Sequence, residues 1–229
     1  MNSLFIIPAR GGSKGIPHKN RKPLNGKPLI YYTIDVAREL TADENICVST
    51  DDPSIIQCVE DYRLHVPFVR PTELASDTAG TYEVLLHALD FYESKGKTYD
   101  TVILLQNTSP FRTAEHVREA MQLYSPDIDM VVSVCEASCN PYYNCFEEDN
   151  VGFLHISKDS GTFTRRQDVP KAYEYNGAIY IINTQSLRKM TLAAFPKKRK
   201  YVMDKLHSVD LDTPIDWLFA EFLLNEGLV

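Results

Sequence analysis

FIIPARGGSKGIPHKN, residues 5–20, joins a short apolar run to a loop rich in glycine and cations. Residues 5–7 have the pattern of a buried strand, and Pro8 ends it. Glycines let a backbone approach phosphate oxygens, and cations neutralise their charge. The loop carries Gly11, Gly12, Gly15, Arg10, Lys14 and Lys19. The stretch therefore predicts a strand that opens into a polyphosphate site, with a solvated loop as the alternative.

The spacing of this loop separates it from two better-known phosphate motifs. No Gly-Lys-Ser/Thr follows a glycine at the P-loop distance, and the glycines do not form the dinucleotide-binding pattern. The loop is therefore of another kind.

Composition limits the partners of the chain. Its 229 residues carry a formal net charge of -7, which argues against a general nucleic-acid surface and confines phosphate binding to a local site. Five cysteines, an odd number, predict reduced thiols rather than a disulfide framework. The sequence shows neither a signal-peptide pattern nor an apolar run long enough to cross a bilayer, so we expect a cytoplasmic enzyme with no membrane partner.

Strands and helices alternate along most of the chain. Strands are predicted at residues 4–7, 45–49, 66–69, 101–105, 130–134, 178–182 and 209–211, and helices at 81–93, 113–124 and 213–224 and from residues 28 and 53. This alternation predicts a doubly wound α/β fold with a mostly parallel sheet. Residues 137–175 interrupt it with prolines and aromatics, which predicts an inserted lobe of β-hairpins within a single domain, residues 1–229. The basic run at 196–200 is interpreted as a solvated turn.

Two further loops carry polar groups beyond the predicted strands. Arg70 follows the third strand and precedes Ser76-Asp77-Thr78, and the segment QNTSPFR, residues 106–112, follows the strand at 101–105. Each has a plain structural alternative, since Arg70 could pair with a surface carboxylate and Thr81 could cap the next helix. Ligands bind beyond the carboxyl ends of strands in such sheets, so the convergence of three loops favours a site.

The segment SVDLD, residues 208–212, places two carboxylates two positions apart. On a strand, Asp210 and Asp212 would share one face. Paired carboxylates suit Mg²⁺, which polyphosphate chemistry usually needs. The alternative is that Asp212 supports the helix that follows. At Asp52-Pro53 the helix-cap interpretation is preferred.

Together these motifs resemble the acylneuraminate cytidylyltransferase family, also called CMP-sialic acid synthetases. The matching segments, in family order, are residues 7–20, 48–52, 70–79, 104–112, 176–180 and 208–212. Related cytidylyltransferases that act on deoxyoctulosonate look different in the first segment. The resemblance implies a nucleotide-diphospho-sugar transferase-like fold whose inserted lobe, about residues 137–175, serves dimerisation.

The resemblance also implies substrates and site residues. CTP would be the nucleotide, and N-acetylneuraminate leads among the acceptors, with its deaminated analogue, legionaminate and pseudaminate left open. Arg10, Gly11, Gly12, Lys14, Lys19, Asn20, Arg70 and Thr81 are then expected to bind the nucleotide, Gln106, Arg166 and Tyr180 the sugar, and Asp210 and Asp212 Mg²⁺ or Mn²⁺. Arg10, Lys19 and Asp212 are the expected catalytic residues. In the implied homodimer, Arg166 would reach across to the partner.

Two departures from the family pattern concern the acceptor side. Asn107 stands where the family often has proline, and Tyr143 stands where some members carry a lysine. These changes bear on the identity of the sugar rather than on the nucleotide chemistry.

The predicted reaction is attack of the anomeric hydroxyl of the sugar on the α-phosphorus of CTP, with pyrophosphate leaving. Two other functions compete with it: a nucleotidyltransferase acting on deoxyoctulosonate or on a non-ketose phosphate, and a non-catalytic nucleotide-binding module. The intact cation loop and carboxylate pair favour the enzyme.

Overall fold

A computed structural model describes residues 2–76 and 79–229, so Asp77 and Thr78 of the predicted loop lie outside the described residues. The strands are β1 Ser3–Pro8, β2 Pro23–Leu24, β3 Lys27–Pro28, β4 Ile46–Ser49, β5 Thr101–Leu104, β6 Met130–Glu136, β7 Phe146–Glu148, β8 Leu154–Ile156, β9 Tyr173–Asn183 and β10 Lys198–Val202. The helices are α1 Leu29–Arg38, α2 Pro53–Asp61, α3 Thr81–Ser94, α4 Ala114–Gln122, α5 Thr184–Leu187 and α6 Pro214–Asn225.

Six of the strands form the central sheet, in the order β10-β6-β9-β5-β1-β4. β9 alone runs against its neighbours β5 and β6, and the other pairings are parallel. The sheet is therefore mostly parallel, as predicted.

Both faces of this sheet are covered by helices. Successive residues of a strand point to opposite faces, and Leu4 and Ile6 of β1 join one buried cluster while Phe5 and Ile7 join another. The first cluster includes α3 residues, and the second includes residues of α1, α2 and α4. Two cores on the two faces of one sheet confirm the doubly wound fold.

β1 occupies the position in the sheet where a ligand site is expected. It pairs in parallel with β4 on one side and β5 on the other, with Phe5 opposite both Ile46 and Ile103. Chain connections leave such a strand in opposite directions, which opens a crevice beyond its carboxyl end. The loops after β1, β4 and β5 therefore meet at one edge.

Two predicted strands are wrong. Residues 66–69 form only an isolated bridge, between Thr50 and Val69, because Pro67 lacks the N–H that a ladder needs. Residues 209–211 are a loop with no ladder, tied by the Leu211 amide to the carbonyl of Thr108 at 2.8 Å. Leu211 is fully buried, so this loop is anchored by its side chain rather than by a neighbouring strand.

The basic run is also different from its prediction. Lys198, Arg199 and Lys200 belong to β10, which pairs with β6 at the edge of the sheet. Exposed basic side chains are a common way to protect an edge strand from pairing with other chains.

Residues between β6 and β9 contain the antiparallel hairpin of β7 and β8 and a short 3₁₀ helix, Arg166–Asp168. Throughout residues 2–76 and 79–229, the helices are too short or too polar to cross a bilayer. The five cysteines are free thiols, as predicted.

Candidate active site

The loops beyond β1 and β5, the segment that leads from Arg70 into α3, and Asp212 line a cavity of about 510 Å³. Its polar lining includes Arg10, Ser13, Lys14, Lys19, Asn20, Arg70, Ser76, Thr81, Gln106, Asn107, Thr108 and Asp212. Residues distant in sequence, from the predicted phosphate loop, the segment after Arg70, the QNTSPFR segment and the SVDLD segment, are thus brought together.

Lys19 connects the phosphate loop to the carboxylate segment. Its Nζ donates to the carbonyl oxygen of Leu211 at 2.5 Å and to Oδ1 of Asp212 at 3.2 Å. The Lys19 side chain is 11% exposed and that of Asp212 is 70% exposed. The largely buried ammonium group of Lys19 is therefore held in the cavity beside the Asp212 carboxylate, which is open to solvent.

The helix-support alternative for Asp212 does not describe its side chain. Thr213 is the N-cap of α6, with its hydroxyl accepting from the Asp216 amide, and Asp216 accepts in return from the Thr213 amide. This capping box occupies Thr213 and Asp216 and leaves the Asp212 carboxylate beside Lys19.

Gly15 packs closely against Asp212, although it is not among the residues that the family resemblance led us to expect in nucleotide binding. A Cβ at Gly15 would lie 1.9 Å from the backbone oxygen of Asp212, so a side chain there would displace one of the two loops. The glycine-rich sequence predicted a close approach of the loop backbone, but it did not indicate which glycine makes it. Gly15 lines the cavity, whereas Gly11 and Gly12 do not.

Gly11 packs instead against the end of β4. Its amide donates to Oδ1 of Asp51 at 3.0 Å, and a Cβ would lie 2.8 Å from Cβ of Asp52. Asp52 caps α2 by accepting from the Ser54 amide at 2.7 Å, which confirms the helix-cap interpretation. A Cβ at Gly12 would meet nothing within 4 Å.

Asn20 and Asn107 form a buried amide pair under the phosphate loop. Asn20 donates to the Arg10 carbonyl at 3.0 Å, and Asn107 donates to Asn20 Oδ1 at 3.4 Å and to the Pro8 carbonyl at 3.3 Å. Oδ1 of Asn107 is buried, with no hydrogen-bond partner among residues 2–76 and 79–229. Asn20 therefore fixes the course of the loop around Arg10, and Asn107, one of the two departures from the family pattern, supplies an unpaired acceptor next to the cavity.

Arg70 is buried rather than paired with a surface carboxylate. It is 5% exposed, and its guanidinium donates to both the hydroxyl and the carbonyl of Ser49 at the end of β4. Burial lowers the pKa of Arg70, and the Asp51 carboxylate opposes that shift. Thr81 opens α3 and lines the cavity, but the N-cap is Gly80, so the capping alternative for Thr81 is wrong.

Asp210 lies among groups that make its charge unfavourable. Burial by surrounding protein atoms raises its pKa although the residue as a whole is exposed, and the Asp212 carboxylate raises it further. A hydrogen bond with Thr108 and the charge of Lys19 act in the other direction. A divalent cation would offset the repulsion between the Asp210 and Asp212 carboxylates. Carboxylate oxygens are also the ligands that Mg²⁺ and Mn²⁺ prefer, so this pair fits either ion.

Gly177 lies close both to Gln106, which is predicted to bind the sugar, and to Asp210. It has a φ of +73°, and a Cβ there would lie 2.6 Å from Oε1 of Gln106 and 3.8 Å from Oδ2 of Asp210. The pairing of β6 with β9 shifts register in this region, between Val132 and Val134. The irregularity lets β9 pass close to both side chains.

Tyr180, on β9, lies near the same carboxylate. Burial, followed by the neighbouring Tyr175 and Asp210, raises the pKa of Tyr180 to about 12, so its hydroxyl remains a hydrogen-bond donor at neutral pH. Gln106 lines the cavity. Arg166 and Tyr143 are placed by the structure in the segment between β6 and β9, outside the cavity lining of the described residues.

Arg112 is a buried cation behind the site that sequence reasoning did not single out. It is 2% exposed and donates to Thr33 Oγ1 at 3.0 Å and to the Gln106 carbonyl, and its Nε has no partner in the part of the chain that the structure describes. Burial lowers its pKa to about 9, and the Asp210 carboxylate opposes the shift. An arginine inside a predicted loop gave no sign that it would be enclosed.

Comparison with known proteins identifies the family of the chain. A family model described as Cytidylyltransferase matches residues 4–224. A CMP-N,N'-diacetyllegionaminic acid synthase of Legionella pneumophila is 35% identical, over 98% of this chain and 97% of that protein. An N-acylneuraminate cytidylyltransferase of Streptococcus agalactiae is 36% identical over 99% of this chain, which spans about half of that longer protein, 55%.

A solved structure shares the fold at low sequence identity. A CMP:2-keto-3-deoxy-manno-octonic acid synthetase complexed with CTP superposes with a TM-score of 0.71 at 18% identity, covering 99% of this chain and 100% of that one. The family resemblance seen in the sequence motifs is confirmed by these matches. The chain belongs to the cytidylyltransferase family, and it is a nucleotidyltransferase.

Proposed function

We propose that this enzyme transfers CMP from CTP to the anomeric hydroxyl of a nonulosonic acid and releases pyrophosphate. The observation that carries the proposal is the meeting of Lys19 with the Leu211–Asp212 segment inside a cavity that is also lined by Arg10 and Lys14. The cations that would bind a triphosphate therefore lie beside a carboxylate that would bind a metal ion. Relatives named for CMP-sugar synthesis support the assignment.

The nucleotide side of the cavity supplies the positive charge that the reaction needs. In the proposed step, an oxygen–phosphorus bond forms to the α-phosphorus while the bond to the bridging oxygen breaks, so negative charge accumulates on pyrophosphate. Arg10, Lys14 and Lys19 would offset that charge from three points of one loop. Positioning and electrostatic stabilisation dominate such transfers.

Buried polar contacts keep this loop in place before the nucleotide arrives. Asn20 holds the Arg10 carbonyl, and Asp51 holds the Gly11 amide. Arg70, from the segment between α2 and α3, and Thr81, at the start of α3, line the same cavity, and we assign them to nucleotide contact. A prearranged site loses less free energy in ordering its own side chains during the reaction.

Asp210 and Asp212 would hold the divalent ion. Bound there, Mg²⁺ or Mn²⁺ would supply charge stabilisation at the α-phosphate and lower the pKa of the attacking hydroxyl. Lys19 would then keep Asp212 directed at the cavity through their ion pair.

We place the acceptor beside Gln106 and Tyr180, where Gly177 lets β9 approach. N-acetylneuraminate is the first acceptor that we propose, supported by the similarity to the streptococcal protein. A legionaminate is the second candidate, favoured by the match over nearly the full length of the Legionella protein. Pseudaminate and deaminated neuraminate complete the set.

We further propose a homodimer in which Arg166 of one chain serves the site of the other. Arg166 is exposed, and the nearby hairpin presents Val151, Phe153 and Leu154 at 78%, 70% and 69% exposure. Mixing inactive Arg166→Ala and Asp212→Asn chains tests this directly. Restored activity in the mixture supports a shared site, while no restoration from a mixture shown to form hybrid dimers argues against it.

Pyrophosphate release tests the proposed reaction. The purified enzyme would be assayed with Mg²⁺, each of CTP, UTP, ATP and GTP, and the four nonulosonic acids together with deoxyoctulosonate. We expect release with CTP and one nonulosonic acid. Release with deoxyoctulosonate alone, or with another nucleotide in preference to CTP, would contradict the proposal.

A further inference from the structure

Two imidazoles and a carboxylate meet outside the cavity described above. His116 lies in the first turn of α4, and Asp204 and His207 lie in the loop that leads from β10 toward Asp210. One nitrogen of each imidazole and one oxygen of Asp204 lie within 4.8 Å of one another, with the imidazoles as the candidate ligands and Asp204 as the group that orients His207. We propose that this cluster binds a divalent transition-metal ion of the Zn²⁺ type, separately from the Asp210–Asp212 pair.

His207 has the second contact expected of a metal-binding histidine. Its Nδ1 lies 2.7 Å from Oδ2 of Asp204. A carboxylate only accepts hydrogen bonds, so Nδ1 carries the hydrogen and the Nε2 lone pair is left for an ion. Asp204 is itself held, because its Oδ1 accepts from the amides of Leu206 at 2.9 Å and His207 at 3.1 Å.

His116 faces His207 across a short gap. The ring centroids are 4.8 Å apart at 75°. Burial, followed by the neighbouring His207, lowers the pKa of His116, so the ring is neutral near pH 7, the form that binds metals. Elements from two parts of the chain therefore supply the two nitrogen donors.

Coordination changes one hydrogen bond at the start of α4. The Thr113 amide now donates to Nδ1 of His116 at 3.2 Å, which places the ring hydrogen on Nε2. Binding an ion through Nε2 moves that hydrogen to Nδ1 and gives up this bond. The reciprocal bond, from the His116 amide to Thr113 Oγ1 at 3.2 Å, remains and still caps the helix.

The donor set separates this site from the proposed magnesium site. Imidazole nitrogens suit Zn²⁺, Co²⁺, Ni²⁺ and Cu²⁺, whereas Mg²⁺ prefers oxygens and water. Water would fill the remaining positions, because Asp204 is exposed and the His207 side chain is 28% exposed. The bound ion would link α4, through His116, to the loop that contains His207 and ends in the Asp210–Asp212 segment.

That loop already has contacts that a bound ion would reinforce. Ser208 Oγ donates to the Asp204 carbonyl at 2.5 Å and accepts from Asn176 Nδ2 at 2.9 Å. We therefore expect the ion to raise the thermal stability of the folded chain without entering the reaction.

Co²⁺ titration of tag-free protein, in excess Mg²⁺, tests the site through the visible absorption of the bound ion and by calorimetry. We expect one saturable Co²⁺ per chain that Zn²⁺ displaces. His207→Gln should abolish binding, and Asp204→Asn should weaken it roughly 10–100-fold. His65→Gln is the matched control, since His65 is exposed and paired only with Glu60 among the residues described, at 3.7 Å.

A second variant, His116→Gln, removes the other imidazole in case His207→Gln does not fold. Circular dichroism of both variants measures whether they are folded. Asp210→Asn should bind Co²⁺ like the wild type. Absence of saturable binding in the wild type, or an isotherm that both histidine variants leave unchanged, would overturn the proposal, as would loss of binding in Asp210→Asn.

Discussion

Lys19 Nζ lies 2.5 Å from the Leu211 carbonyl oxygen and 3.2 Å from Oδ1 of Asp212, across more than 190 positions of sequence. The contact closes the cavity between its first and last sequence segments. It also explains why Lys19 belongs to the site although it stands nine residues after Arg10: the 3₁₀ turn at Lys19–Arg21 folds the loop back beneath the cavity. One contact thus links the predicted phosphate loop to a carboxylate proposed to hold the metal ion.

Arg10→Ala should slow pyrophosphate release by roughly 10²–10³-fold, because one donor is removed from the position where charge develops. Lys197→Ala is the control, since Lys197 is exposed and its Nζ contacts the Asp127 carbonyl at 3.2 Å, outside the cavity. Its rate should stay within about twofold of the wild type. Equal and small losses in the two variants would remove Arg10 from the reaction.

Gly15→Ala should impair both activity and stability, because the new Cβ would lie 1.9 Å from the Asp212 backbone oxygen. We expect a loss of about 1–3 kcal/mol in the free energy of unfolding, as for other overpacked positions. Gly12→Ala is the control for stability, since a Cβ there meets nothing within 4 Å. Urea denaturation of the two variants checks this, and equal stability of both would contradict the close approach.

Asp210→Asn should abolish turnover yet stabilise the metal-free protein at neutral pH. The pKa of Asp210 is raised by its surroundings and by Asp212, so the folded state binds more protons than the unfolded state just above the ordinary carboxyl pKa. The unfolding free energy of the wild type therefore falls as pH rises through that window. Asparagine does not titrate, so its advantage should grow with pH.

Thermal unfolding in EDTA at pH 4 and pH 7 measures this difference. Addition of Mg²⁺ at pH 7 should stabilise the wild type more than Asp210→Asn. A variant that is less stable than the wild type at pH 7 without metal, in a correctly folded protein, would show that Asp210 is not under electrostatic strain.

Much of the fold follows from periodicity that survives in the structure. The apolar runs of β1, β5 and β6 are buried on both sides, and the helices alternate with them, so the sequence indicates a doubly wound sheet. The predicted third strand does not form, because Pro67 has no backbone N–H to donate to a neighbouring strand, although the residues around it are apolar. The edge strand β10 was hidden because its basic residues resemble a solvated turn.

The candidate site was predictable where residues carry chemistry in short motifs. Arg10, Lys19 and Arg70 were identified by their place after predicted strands, and they line one cavity although the strand predicted before Arg70 does not form. Arg112 and the His116–His207 cluster were not, because burial and contacts between distant segments depend on packing rather than on local sequence. Asp210 and Asp212 were paired by a strand argument, whereas a loop anchored by Leu211 holds them.

Asp212, the carboxylate beside Lys19, is proposed to serve the transfer of CMP from CTP. The most direct test is the rate of pyrophosphate release by Asp212→Asn, with CTP, Mg²⁺ and the acceptor found for the wild type. Asp61→Asn is the matched control, since Asp61 accepts from Gln57 at the end of α2. We predict a loss of at least about 10²-fold in Asp212→Asn at unchanged folding. Near-normal turnover in that variant would exclude Asp212 from the reaction.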